Sequence, residues 1–253
     1  MKIVWLSANK LGYEMLKEST KIKGVNIDSI ITLSRDSKTV MYDGLDNKKW
    51  YEFGIKVFEV ERINNEKELL KKLSPDIVVM CGWRQIIDKE MLGIPKMFVG
   101  FHPTLLPVGR GPAPIINSIL YGFKKSGLTM FHLTEGLDDG PIIGQEKFDI
   151  AETDYAVDVY EKVINVGRKL IRKYLPLLVQ GKAPMISQDD SKATVFQKPS
   201  LKDNEINLEK ESAEQIYRKI KALSKPYKGA YIRLGEEKLI IWRAELKKGK
   251  SVS

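Results

Sequence analysis

A single cysteine and two histidines are all the thiol and imidazole that the 253 residues contain. A disulfide framework needs cysteine pairs and a thiol-rich metal site needs a cluster, so both are excluded, and no metal site is expected. Cys81 stands in the apolar run Ile77 to Cys81, where a packed thiol is expected rather than a nucleophile. Nowhere do about 18 uncharged apolar residues follow one another, as a membrane-spanning helix requires. The opening Met1 to Ser7 holds only a short apolar run, so a cytoplasmic location without membrane contact is the expectation. Glycine is missing where nucleotide loops need it. The turn Ser7-Ala8-Asn9-Lys10-Leu11-Gly12 lacks the pattern that lets backbone amides approach a pyrophosphate, and no GxxxxGK[ST] run occurs. Internal repeats and low-complexity tracts are also absent.

What is present suits one sizeable core with a small appendage, since 43% of residues are hydrophobic and 30% charged. The net charge is +9. Much of the excess is lysine, and the segment from Pro199 to Ser253 carries thirteen Lys and Arg against eight Asp and Glu. An anionic ligand near the tail fits that imbalance.

Short Val- and Ile-rich runs alternate with helical patterns from Ile3-Val4-Trp5-Leu6 onward, which is the βαβ signature. Further strands are predicted near Asn26 to Leu33, Lys56 to Val60, Ile77 to Cys81, Met97 to Phe101 and Leu128 to Leu133. Helices are predicted near Gly12 to Glu18 and over Glu66 to Leu73, Asp88 to Leu92, Pro114 to Tyr121 and Tyr155 to Val179. The fold class is therefore α/β, a Rossmann-like, open and mostly parallel sheet whose ligands belong at the carboxyl ends of the strands. Residues 1–185 form the main domain and 186–199 a linker. Residues 200–253 form a second unit with a helix at Ser212 to Leu223 and two short strands around Ala230 to Leu234 and Lys238 to Arg243. A unit this small is expected to lean on the first.

The densest punctuation runs from Gly100 to Gly144. Pro103 biases His102 away from helical angles, which puts the imidazole in extended backbone just past a strand. Four prolines and two glycines between Pro103 and Pro114 specify a rigid loop that shapes a pocket. The next loop offers Asp138 before Asp139-Gly140, and the two loops can meet, bringing a carboxylate to an imidazole. Read alone, His102 also fits a structural hydrogen-bonder and Asp138 a turn residue. His132 sits in an apolar strand pattern and reads as packed or pocket-lining.

With these motifs, His102 to Pro107, Arg110-Gly111, Ala113-Pro114 and Leu137-Asp138-Asp139-Gly140, the chain resembles the folate-dependent formyltransferases. That group includes the methionyl-tRNA, sugar-amine and glycinamide ribonucleotide enzymes. The resemblance continues through Asp189 to Thr194, Ile206-Asn207, Tyr227 to Tyr231 and Ile241 to Ala244. It implies a formyltransferase fold with an OB-like C-terminal part, of which one hairpin is expected here. The family trio is Asn, His and Asp, and Gly100 stands where the Asn would be. Losing one such oxyanion donor can cost roughly 3 kcal/mol. Asn117 is one residue whose amide could substitute.

The resemblance implies an N-formyltransferase using 10-formyltetrahydrofolate, with His102 and Asp138 as the catalytic residues. Donor binding falls to Trp83, Arg84, Gln85, Ile86, Ile87, Thr104, Leu105, Leu106, Pro107 and Asp138; Trp83 is equally readable as core. The acceptor falls to Gly100, Arg110 and Gly111, with Arg110 placed for an anionic group. A nucleotide-linked amino sugar is the expected acceptor, with initiator methionyl-tRNA as the alternative, supported by the basic tail and by Tyr231, Trp242 and Arg243. Trp242 also reads as core. A folate-binding pseudoenzyme is the third reading, raised by Gly100, and a homodimer is expected.

Overall fold

The computed structural model describes residues 1–198 and 204–247. Seven strands, β1 (Ile3–Leu6), β2 (Ile27–Leu33), β3 (Lys56–Val60), β4 (Ile77–Met80), β5 (Met97–His102), β6 (Lys125–His132) and β7 (Ile142–Asp149), form one sheet in the order β3-β2-β1-β4-β5-β6-β7. Strands β1 to β5 are parallel, whereas β6 and β7 are antiparallel to their neighbours. The order reverses between β1 and β4, the kind of switch point where open α/β sheets place ligands.

Alternation along the strands buries both faces, as a parallel sheet sandwiched by helices requires. One face, with Trp5, Val79, Val99 and Met130, packs against α1 (Lys10–Ser19), α5 (Pro114–Leu120) and α6 (Ala156–Val179). The opposite face, with Val4, Ile31, Val78 and Phe98, packs against α3 (Lys67–Leu73) and α4 (Lys89–Leu92). Burying each such Val, Leu or Phe is worth about 1.5–3 kcal/mol. Cys81 is fully buried, and that burial pushes its thiol pKa up, so it is a packing residue. Gly82 follows at φ +69°, and a Cβ there would fall 1.7 Å from Asn9 Oδ1, so only glycine lets β4 leave the sheet against the β1 turn.

Most expected elements are present, with one strand, one α-helical turn and two short 3-10 turns, Ile63–Asn65 and Asp190–Lys192, in addition. The strand β7 was not expected because only its first three residues are buried and Gly144, Gln145 and charges break its apolar pattern, as befits an antiparallel edge. The helix α2 (Lys48–Tyr51) is a single turn around the fully buried Trp50, too short for any periodicity. Strand β6 also begins earlier than expected, at Lys125, because β7 pairs along its whole length.

The expected boundary at 199/200 lies outside the described residues. Beyond it, α7 (Ala213–Leu223) carries a capping box in which Ser212 and Gln215 satisfy each other's backbone amides. It buries Ile220, Ala222 and Leu223 in the same core as α5 and α6. A hairpin of β8 (Ala230–Leu234) and β9 (Glu237–Ile241) follows. Tyr155, at the start of α6, ties the chain beyond the hairpin down, its hydroxyl donating to Ala244 O at 2.9 Å. Trp242 is not core: it is 38% exposed. Among the described residues, no helix is long and apolar enough to cross a membrane.

Candidate active site

His102 is the last residue of β5, and register places it opposite Thr129 of the antiparallel β6. Directly paired residues share a face, so His102, Gly100, Thr129 and Phe131 share one side of the sheet. Because β6 runs backwards, the loop 133–141 leaves from the opposite end of the sheet and has to fold back over this face to reach His102. It does so. Asp138 Oδ2 lies 3.4 Å from His102 Nδ1 and accepts the Gly111 N–H at 2.9 Å. Asp138 holds a left-handed backbone at φ +51°, a conformation costing on the order of 1–3 kcal/mol for a non-glycine residue.

The tautomer of His102 follows from its partners. Nε2 lies 2.7 Å from Gly109 O, and a carbonyl can only accept, so Nε2 carries the proton. Nδ1 then faces the Asp138 carboxylate. His102 is only 6% exposed, whereas the Asp138 side chain is 24% exposed, so the carboxylate is the open side of the pair.

The loop 103–113 that supplies Gly109 and Gly111 is locked along its length. Thr129 Oγ1 takes the Leu106 N–H and donates to Thr104 O; Gln145 donates to Leu106 O. Its outer edge is stitched to residues 188–196. Gly109 N donates to Thr194 Oγ1, Arg110 N to Thr194 O, and Phe196 N to Arg110 O. A Cβ on Gly109 would meet the Phe196 ring at 2.6 Å.

One residue that sequence reasoning missed joins both loops. Gln188 Oε1 accepts from Arg110 Nε and Nη2, at 3.1 and 2.8 Å, while its Nε2 donates to Asp138 O and Gly140 O, both at 2.8 Å. All four bonds converge on one amide, in a segment expected to be a linker. Glutamine in a polar linker carries no periodicity that would have flagged it.

The remaining expected site residues divide. Thr104 and Leu106 are buried beneath the His102 loop, and Leu105 packs over Gly127. Pro107 O accepts from Thr194 N. Arg110 is only 9% exposed and its guanidinium is spent on Gln188 and Asp190. Of residues 83–87, Trp83 packs on the Val78/Phe98 core that Ile87 helps to form, as does Leu133. Arg84 turns away, its guanidinium 4.8 Å over the Tyr42 ring. Gln85 fastens Ile63 N, Thr39 and Glu61 O instead, and Ile86 is 88% exposed. Gln85 and Ile86 line a cavity of about 440 Å³ with Lys38 and Arg62 over the ends of β2 and β3.

Gly100 has no room for a side chain. A Cβ there would lie 2.3 Å from Leu133 Cδ1 and 3.1 Å from Phe131. Asn117 is no substitute donor, because its Nδ2 is committed to Pro112 O and Gln197 O. His132 is half-buried, its Nε2 has no partner among the described residues, and burial lowers its pKa. No group of three or more potential metal ligands occurs among the described residues.

The chain matches known proteins in sequence and in fold. Residues 1–175 match the family described as formyl transferase, and residues 199–253 its C-terminal domain. The chain is 36% identical over 76% of its length to a methionyl-tRNA formyltransferase of Bacillus velezensis, spanning 61% of that protein. It is 32% identical over 97% of its length to the bifunctional polymyxin resistance protein ArnA of Wigglesworthia glossinidia brevipalpis, spanning 38% of it. Its fold superposes with a TM-score of 0.71 on the N-formyltransferase of Helicobacter canadensis solved with folinic acid and dTDP-3-aminofucose, at 22% identity, over 95% of this chain and 86% of that one. The chain therefore belongs to the formyl transferase family.

Proposed function

We propose that this protein transfers a formyl group from 10-formyltetrahydrofolate to the primary amine of a nucleotide-linked amino sugar. The observation that carries the reading is the His102–Asp138 pair, a buried imidazole nitrogen facing a partly exposed carboxylate. The donor, when bound, supplies an activated formyl carbon. Trp83, Ile87 and Leu133 belong to one apolar cluster, the kind of surface on which a flat heteroaromatic ring packs.

The chemistry asks for few groups. The amine nitrogen bonds to the formyl carbon, the bond from that carbon to the folate nitrogen breaks, and one proton moves from the amine to that nitrogen. His102 Nδ1, when protonated, gives a hydrogen bond to the formyl oxygen as charge develops there. Asp138 holds that proton in place and receives the one lost by the amine. Gly109 O keeps the ring from turning, and the Gly111 N–H holds the carboxylate.

The acceptor follows from likeness and charge together. The Helicobacter canadensis structure contains a nucleotide-linked aminofucose, and the cationic balance of this chain suits a diphosphate. Methionyl-tRNA is the second reading, favoured by the identity to the Bacillus velezensis enzyme. The test supplies 10-formyltetrahydrofolate with a panel of UDP- and dTDP-linked amino sugars or with charged initiator tRNA, and follows released tetrahydrofolate. Formylation of an amino-sugar nucleotide is expected. Formylation of tRNA alone replaces the acceptor, and folate binding without turnover of any acceptor leaves a binding protein.

A further inference from the structure

His102 and Asp138 lie on segments that leave opposite ends of the sheet, and residues 188–196 touch the supports of both. This strap runs along the outer edge of the loop 103–113 and brings Val195 into a parallel bridge with Arg110. A trans peptide points its carbonyl and its N–H in opposite directions, and the two peptides that flank Arg110 use both sides. The Gly109–Arg110 peptide gives its N–H to Thr194 O at 2.9 Å and turns its carbonyl to His102 Nε2 at 2.7 Å. The Arg110–Gly111 peptide accepts from Phe196 N at 2.8 Å and gives its N–H to Asp138 Oδ2 at 2.9 Å. Each member of the pair is thus held by a peptide whose other side is clamped by the strap.

The strap is fixed along its own length. Gln188 joins Arg110 to Asp138 O and Gly140 O. Thr194 uses its N–H, carbonyl and hydroxyl on the loop, donating to Pro107 O at 3.2 Å and accepting from Arg110 N and, through Oγ1, from Gly109 N at 2.8 Å. Phe196 is buried, its ring stacked on Tyr121 with centroids 5.8 Å apart, and it fills the space that a Cβ on Gly109 would need. Gly109 stands at φ +74°, in the left-handed region, so contacts with the strap rather than a regular element set the direction of its carbonyl.

We propose that residues 188–196 act as a template that sets the geometry of the His102–Asp138 pair, and that Thr194 is the positioning residue through which it fixes the His102 ring. This rests on the reading of that pair as the working groups of formyl transfer. The Thr194 hydroxyl holds the Gly109 N–H, Gly109 presents its carbonyl to Nε2, and the carbonyl keeps the proton there with Nδ1 toward Asp138. The pair stands 3.4 Å apart, so small shifts of either support decide whether it closes. A misplacement of about 1 Å costs on the order of 10²-fold in rate.

The test begins with the ring. The chain has two histidines, so nitrogen NMR of His132→Gln protein reports His102 alone. At a pH where the ring is neutral, the proton is expected on Nε2 only. Thr194→Val, added to this background, removes the hydroxyl at nearly constant volume. It should mix the two tautomers and lower kcat about tenfold, with KM for donor and acceptor within about twofold. Thr194→Ser should restore both readouts. Lys192→Met, in the exposed turn of the same strap, should leave both unchanged. A Thr194→Val protein with an unaltered ring spectrum, or with a shifted tautomer at unchanged kcat, would overturn the role of Thr194. An equal loss in Thr194→Ser would assign the effect to packing and overturn it as well. Failure of the underlying reading looks different: full turnover in His102→Ala, or turnover of no acceptor, removes the pair from the chemistry and the template with it, whatever the ring spectra give.

Discussion

The two loops that meet at His102 are built to opposite specifications. The loop 103–113 is held by bonds from β6, β7 and the 188–196 segment along most of its length, and Thr104, Leu106 and Arg110 are buried in it. The loop 133–141 is exposed over residues 134–137 and again at Asp139. Its side-chain anchors are the Gln188 amide, the Gly111 contact, an internal Thr134–Asp139 bond and an exposed Lys89–Glu135 pair. The imidazole sits between a strand end and a closely bonded loop, whereas the backbone that carries the carboxylate leans on one glutamine amide and the carboxylate itself on the Gly111 N–H. The proposed catalytic pairing is therefore most fragile on the aspartate side, at the Gln188 amide that holds the Asp138 and Gly140 carbonyls.

The largest effects should come from the pair itself. His102→Ala and Asp138→Asn are each expected to lower kcat by about 10²–10⁴-fold while the unfolding midpoint stays near wild type. Undiminished turnover in either variant removes that residue from the chemistry. Next comes Gln188→Ala, which strands two carbonyls and a guanidinium and should cost roughly 10²-fold in kcat through misplacement of Asp138. Arg110→Met, which leaves the bonds to Asp138 O and Gly140 O in place, should be milder in kcat. Equal losses in the two variants would mean that Gln188 acts only by holding the 103–113 loop.

Gly100 offers a sharper contrast. Gly100→Asn alone drives a side chain into Leu133 and should destabilise by about 1–3 kcal/mol with no gain in rate. Gly100→Asn with Leu133→Ala opens that space on the His102 face, and a new amide donor there should raise kcat about tenfold or more over wild type. If the double variant is no faster than Leu133→Ala alone, the formyl oxygen does not lie near Gly100.

Much of this arrangement was legible before the fold was known, for physical reasons. Continuous Val and Ile runs betray strands buried on both faces, and Pro103 fixes extended backbone at His102. What was not legible depended on chain direction and on spent donors. The antiparallel course of β6, which sends the Asp138 loop across the face, leaves no mark in an apolar run, and β7 hides its edge behind Gly144 and charges. Arg110 reads as an anion binder in any sequence. Only its contacts with Gln188 and Asp190 show that its charge is already engaged.

The smallest effect tests the root of the exposed loop. His132 closes β6, and its backbone N–H holds Pro141 O at 2.9 Å, so it stands where the loop begins and ends. Burial lowers its pKa below the ordinary 6.5. Between the lowered folded value and 6.5 the unfolded chain binds more protons than the folded one, so stability rises with pH across that window. Acidification below about 6.5 should therefore lower the urea midpoint, because the ring must either stay neutral against its solution preference or carry charge where Nε2 finds no partner. His132→Gln removes the titration and should flatten this slope while leaving the midpoint near pH 7.5 little changed. A slope as steep in the variant would assign the acid sensitivity to the carboxylates, and the loop's root would then be as firmly set as the loop it faces.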